Sequence, residues 1–575
     1  MSSEEIESFR WQERLFYAIL ITVAQMLYQK IALYRGNLEL YIPLIRYLEG
    51  KTAFSGDPIS ATLGVFPSYF FKIIAGLHIP DSFLRPFFGV MYLIFETAIF
   101  YSLFLLWEKL GFARKIIILS GVLIAAGYLP SMGASAWWWL FSHQMPALFL
   151  IIIAFYFMLE GKWIISSVLI GVSADFHLIF AAPAAAILLI YLAHNRGITK
   201  AIYSGVVMLI LTTPVLYLIF SAKLTSNAPV ELMTKILSVR SQVEIFPSKL
   251  GVKWIPFLVF VVVVIYEIRD RWNNVKSWSF PVIITVAIFV ILAFVGEILN
   301  NLAIMRAQPI RATLFLVLFF LPLMTEYALR SIEKDKFLVF NFFPLIGRHP
   351  PVASISILFP LAVRKKSTAR FLGVVWFLVG ILGFAAVKLG YFPAERVKDL
   401  VITDPKIFVR FYALIAVLFV GAFVGALRRE FFPVAAILTV GLLRAVVGGP
   451  FSVQDPAWVD VQKWAKHNTP PDALFIVPPT TSGFRVYSCR GVAFDWKSGP
   501  GVDDSWWNRL QEFCPGCTSE KQVKERFEKM SGEQLVNLAH RVGADYIVLP
   551  AGANNLPNSP VYSNGRWEIY KVEGE

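Results

Sequence analysis

Charge is the scarcest property of this sequence. Only 16% of its 575 residues are Asp, Glu, Lys or Arg, while 57% are hydrophobic. A soluble chain of this length does not carry apolar runs so densely, and the mean hydropathy of +0.62 agrees. Cysteine is nearly absent: Cys489, Cys514 and Cys517 are the full set. Three thiols cannot all pair within one chain, so one disulfide and one free thiol is the most an oxidising compartment allows, and spacing alone does not choose the pair. The lone CPGC supplies two of the four ligands a structural zinc needs. The sequence has no Walker motif, no GxGxxG, no HExxH and no Ser-His-Asp order, which argues against a nucleotide-sugar donor held by a dinucleotide fold. Alternating ten-residue segments are missing, which excludes a transmembrane β-barrel. Low-complexity runs and internal repeats are missing too.

What remains is a series of apolar runs near the ~20 residues that a bilayer core demands of a helix. Spans are expected near 15–33, 87–107, 116–129, 146–159, 163–174, 178–192, 201–221, 254–268, 281–298 and 310–327. A broken pair surrounds 347–351, and three more lie near 371–389, 408–427 and 433–447. The total is about 14. The first run lacks a small-residue cleavage site and is expected to stay as an anchor. The net charge of +14 does not point to nucleic acid, because the basic residues sit in short loops between apolar runs. With the N-terminus inside, nearly every such cluster falls on the cytoplasmic side, as the positive-inside rule requires. The loop 34–82 and everything after 448 are then extracytoplasmic.

Two units are expected: a membrane part at 1–448, and a soluble α/β unit at 449–575, large enough for its own core. In the second, PAWVDVQKWAKHN reads as an amphipathic helix, and ALFIVPP, GFRVYSCRGVAFDW, ADYIVLP and RWEIYKV as strands. Ser531 and Gln534 have capping-box spacing.

The loop 34–82 organises the rest. It contains a surface-lying helical pattern, LELYIPLIRYLEG, and a Gly-Asp-Pro turn at Asp57. Asp57 and Glu39 are candidate proton acceptors, because sugar transfer needs a carboxylate beside the reacting hydroxyl. MRAQPIR offers Arg306, Gln308 and Arg311 as a phosphate clamp, with Arg240 as a further guanidinium. Asp175 and His177 stand between two short apolar halves, where ionisable groups at membrane depth are functional candidates. His143 and Gln144 follow the tryptophan run on the same side. Glu96 lies inside a span with Lys30 as a candidate partner, and His349 has no assigned role.

Taken together, the segments NLELYIPLIRYLEG…GDP, MRAQPIR and WAKHNTPPDALFIVPP…GFRVYSCRGVAFDWK resemble the GT-C class of membrane glycosyltransferases. They are more closely similar to an uncharacterised prokaryotic polytopic family of unknown function. The resemblance implies a polyprenyl-phosphate-linked sugar as donor and a glycan or protein acceptor. It implies Asp57, then Glu39, as base or as ligand of a divalent metal (Mg or Mn), and it gives no metal ligand set. The chain lacks the paired acids common in the GT-C loop. The alternatives are a transporter or flippase for a lipid-linked glycan, and a non-catalytic subunit of a cell-envelope assembly system.

Overall fold

A computed structural model of the chain describes residues 9–29, 31–32, 36–63, 66–126, 141–221, 229–240, 245–269, 271–334, 451–452, 454–497, 504–553 and 556–573, with three residue pairs between 434 and 442. The expected spans from 347 to 427, His349, Lys30 and the boundary at 448 lie outside them. Most of the described chain is helical, with a small sheet near its C-terminus.

The bundle begins with α1 (Trp11–Gln29), followed after a surface loop by α5 (Asp81–Lys109), α6 (Arg114–Ala125), α7 (Gln144–Leu159), α8 (Trp163–Arg196) and α9 (Ile198–Ser221). The surface loop contains α2 (Leu38–Leu48), α3 (Ser60–Leu63) and α4 (Tyr69–Gly76). Then come α10 (Val230–Arg240), α11 (Trp254–Arg269), α12 (Trp272–Ile298), α13 (Leu302–Arg306) and α14 (Thr313–Lys334). Among the described residues, five helical runs are long and apolar enough to cross a membrane: α5, α8, α9, α12 and Pro309–Ser331. The helices α6, α7 and α11 have 12, 16 and 16 residues, short of a ~30 Å core at 1.5 Å per residue.

A straight α8 of 34 residues would be about 51 Å long. It is not straight. The backbone leaves the helical region at His177 (φ −153°, ψ 88°), and the ends of α8 meet: a Cβ on Gly161 would lie 3.4 Å from the Arg196 guanidinium. Helix α9 runs alongside both legs. Ser167 bonds Ser204, and the amide of Val215 donates to Asp175, so the first leg runs parallel to α9. Gly205 faces Leu189 of the returning leg. The two short halves expected at 163–174 and 178–192 are therefore a hairpin with His177 at its tip. The first loop closes over that tip: the Ser68 hydroxyl donates to the Phe176 carbonyl, 2.8 Å away, which the break leaves without a helical partner.

Ion pairs gather at the opposite end of the bundle. Arg14 bonds Glu108 at 2.5 Å, and Arg271 grips Glu326 through both terminal nitrogens at 2.9 and 2.8 Å. Deep in α5, Glu96 accepts from Gln25 at 2.8 Å, and Gln25 also donates to Tyr92.

The C-terminal region contains α15 (Pro456–Asn468), α16 (Arg485–Ser488), α17 (Ser505–Phe513), α18 (Glu520–Glu528) and α19 (Gly532–Val542). Its five strands are β3 (Leu474–Ile476), β4 (Gly491–Val492), β5 (Tyr546–Pro550), β6 (Tyr562–Ser563) and β7 (Trp567–Lys571), in the order β4-β3-β5-β7-β6. β3 pairs in parallel with β4 and β5, and β7 runs antiparallel to β5 and β6. α15 packs on one sheet face through Trp458, Val461 and Ala465. On the other face Trp506, Leu510, Leu535 and Leu538 share a core with Met233 and Ile236 of α10, so a helix from the membrane part completes this core. The expected capping box of α19 is present in both directions. GFRVYSCRGVAFDW, expected as strand, is instead the single turn of α16 and the two residues of β4, because Gly483 (φ 87°) and Cys489 (φ 52°) bend it. Near the N-terminus β1 (Ile31–Ala32) pairs in parallel with β2 (Phe451–Ser452). Cys514 and Cys517 form the disulfide, and Cys489 is a buried free thiol.

Candidate functional site

The first loop is held between the bundle and the C-terminal region, and α2 divides the two sides. Its Leu38, Tyr41, Ile42 and Ile45 are buried in the bundle core, and Glu39 faces the C-terminal region.

On that side Asp57 is fully committed. Gly56 adopts φ +70°, a left-handed turn natural for glycine, and delivers the Asp57 carboxylate to Arg485. Nε of Arg485 donates to Oδ2 at 2.5 Å and a terminal nitrogen to Oδ1 at 2.9 Å. The amides of Ile59 and Val492 add bonds of 2.9 and 2.8 Å. A carboxylate has about four acceptor positions, and four donors fill them. Arg485 also bonds Asp495. Burial works against the Arg485 charge, but Asp495 and Asp57 hold its proton more tightly than usual. Expected as a catalytic base, Asp57 is placed as a clasp between the loop and the C-terminal region, with no acceptor position left for a substrate hydroxyl. Arg485 and Asp495 went unsuspected because they sit inside a run that reads as strand. Their signal was charge inside an otherwise apolar stretch.

Glu39 is held more lightly. Its Oε2 accepts from Lys497 at 2.9 Å, and the lysine side chain is 26% exposed. Gly483 leaves room for it: an added Cβ there would meet Glu39 Cγ at 3.2 Å. Further along, Arg46 bonds Glu49 (2.5 Å) and Asp81, and Lys466 of α15 bonds Asp81 at 2.7 Å. These are additional ties between loop, bundle and C-terminal region.

On the bundle side the histidines converge. His143 precedes α7 and His177 marks the α8 tip, with ring centroids 5.0 Å apart. Tyr41, Phe66 and Phe71 surround His143 at 5.3, 5.6 and 5.2 Å. Arg311, buried in the turn Pro309–Ala312, lies near enough for its charge to act on both imidazoles. Residues expected separately as loop, hairpin and clamp therefore meet. Asp175 turns away, to the Val215 amide at 3.1 Å beside Pro214. Arg306 is half-buried at the end of α13, and Gln308 sits in the left-handed region (φ 47°). The Gln308 Oε1 and His143 Nδ1 are buried with no hydrogen-bond partner among the described residues. Arg240 ends α10, and its side chain is outside the described set. No contact among the described residues joins Asp57 to Arg306 or Arg311.

Burial first, and then the Arg311 charge, pull the His143 imidazole down from 6.5 to about 3, so it is neutral near pH 7. Stability gained by keeping it neutral is full above its unfolded value and is lost as pH falls toward the folded one. Between pH 7 and pH 5 the wild-type Tm is expected to fall more steeply than that of His143→Gln. Parallel pH profiles would remove His143 as the cause.

Among the described residues no three His, Cys, Asp or Glu side chains stand together as a metal site. Nitrogen donors fill Asp57. Among the described residues there is no ligand set for the divalent metal that the resemblance allows.

The fold and site define a helical protein with membrane-crossing segments and a polar, aromatic-lined cluster where the bundle meets an α/β region. Residues 456–513, about a tenth of the chain, match a family described as a domain of unknown function (DUF6798). No curated protein matches the sequence. Among solved structures, the chain is similar to ArnT from Cupriavidus metallidurans, whose crystal structure contains undecaprenyl phosphate. The identity is 14%, the coverage 97% of each chain and the TM-score 0.43.

Proposed function

We propose that this protein is a membrane glycosyltransferase that moves a sugar from a polyprenyl-phosphate carrier to a lipid-linked, polysaccharide or protein acceptor at the outer face. The observation that carries this reading is the pairing of His143 with His177, within the field of the buried Arg311, at the loop-covered end of an apolar bundle. A carrier lipid lies in the bilayer and presents an anion at its surface, and a guanidinium forks onto phosphate oxygens. His143 Nδ1 and Gln308 Oε1 are further polar groups for the donor.

Glu39 is the base in this reading. It sits on α2 two residues before Tyr41, on the opposite face from the ring that packs on the histidine cluster, so donor and acceptor must meet past an edge of α2. About one helix diameter, ~10 Å, separates the two sides. The acceptor hydroxyl attacks the anomeric carbon and its proton passes to Glu39. The bond from that carbon to the phosphate oxygen breaks, and Arg311 and Arg306 hold the departing phosphate. The sugar is delivered with inversion.

The test is transfer of labelled sugar from a polyprenyl-phosphate donor by purified protein. Arg311→Gln is expected to lower turnover by about 10²-fold or more, the scale of losing one charge-stabilising donor. Equal turnover by wild type and variant would remove the clamp. Movement of the lipid across a vesicle bilayer without turnover would replace the transferase with a transporter.

A further inference from the structure

Between the start of α5 and α15 lies an open groove of about 460 Å³, lined by Asp81, Arg85, Gln454, Asp460, Lys463 and Tyr487 among others. That volume is within the range of small-molecule sites. Its charges are unequally committed. Asp81 is neutralised by Arg46 and Lys466. Asp460 accepts from the Tyr562 hydroxyl and from Asn564. Arg85 and Lys463 have no ion pair or hydrogen bond among the described residues. The groove thus presents two cations outside any ion pair among the described residues, with the Arg85 charge felt at Tyr487, beside the Asp460 carboxylate, whose partners are neutral.

The wall of the groove is packed against Glu39. Gln454, on its wall, donates to the Gly483 carbonyl at 3.3 Å, and Gly483 abuts Glu39.

We infer that this groove binds an anionic saccharide, a sugar ring carrying a phosphate or carboxylate, and that it is the acceptor subsite. The second half of the inference rests on the transferase reading, and the first does not. Arg85 and Lys463 take the anion. Tyr487 offers an aromatic face to the ring, and Gln454, held by Gly483 and Gln462, forms the wall that separates the groove from Glu39.

The probes are glucose 6-phosphate, glucose and inorganic phosphate, titrated at low ionic strength into the full chain in a neutral detergent. Glucose 6-phosphate is expected to bind saturably, at least about 10-fold more tightly than either fragment, because charge and ring are both recognised. The double variant Arg85→Gln/Lys463→Gln should weaken it at least about 10-fold with an unchanged Tm, since neither side chain is paired among the described residues. Three results would overturn the site: absent binding, equal binding by the double variant, or phosphate binding as tightly as the sugar phosphate. Binding needs no donor, so the two readings fail separately. A double variant with wild-type acceptor KM removes the acceptor role and leaves the transferase. Saccharide binding by protein that turns over no donor keeps the site and removes its acceptor role.

Discussion

Replacing Arg485 with methionine is expected to cost about 3–5 kcal/mol, the penalty for removing one partner of a buried ion group. The substitution removes the counter-charge that Asp57 and Asp495 share, at side-chain exposures of 0% and 4%. The readout is a lowered Tm of the purified protein, with earlier protease cleavage in the first loop. Arg485→Lys should fail nearly as badly, because an ammonium cannot fork onto one carboxylate and still reach a second. The triple variant Asp57→Asn/Asp495→Asn/Arg485→Met should recover most of the loss, since a whole buried ion group exchanges for neutral groups at small net cost. An Arg485→Met protein with wild-type Tm would mean that the loop is held by its other ties. Those include the Glu39–Lys497 bond, the Thr52–Cys489 bond, the Arg46–Asp81–Lys466 chain and the β1–β2 pairing.

The second large effect separates the two loop acids. Glu39→Gln is expected to lower sugar transfer by about 10²–10⁴-fold, the usual worth of a positioned base. The donor KM should change little, because the lost interaction belongs to the transition state. Its Tm should stay near wild type, because Glu39 has one partly exposed partner, Lys497. Asp57→Asn should do the reverse, lowering folded yield and Tm. Wild-type turnover by Glu39→Gln would end its assignment as base.

The sequence made local structure legible where one stretch decides its own form. α15 has the bounds of the expected amphipathic helix, Asp455 caps it, and Pro456 starts it. The α8 hairpin was readable as two short apolar halves around Asp175 and His177. The clustering of His143, His177 and Arg311 could be expected only as shared sidedness, because hydropathy orders spans along the membrane normal and not around the bundle. Asp57 was the least readable. Its turn marked it as special, but its partner lies 428 residues away. A carboxylate poised for chemistry and one buried as a clasp carry the same local signature. Lys497, the partner of Glu39, was hidden for the same reason.

The clasp also sets an order of assembly. In translation Asp57 is made 428 residues before Arg485, so the first loop has neither its counter-charge nor the Val492 amide while the intervening chain is synthesised. Until then Asp57 must stay hydrated, since a lone carboxylate is not buried. The helices between the two residues can insert one after another, but the loop closes over them only when the segment containing Arg485 arrives. Closure waits on a residue 428 positions downstream.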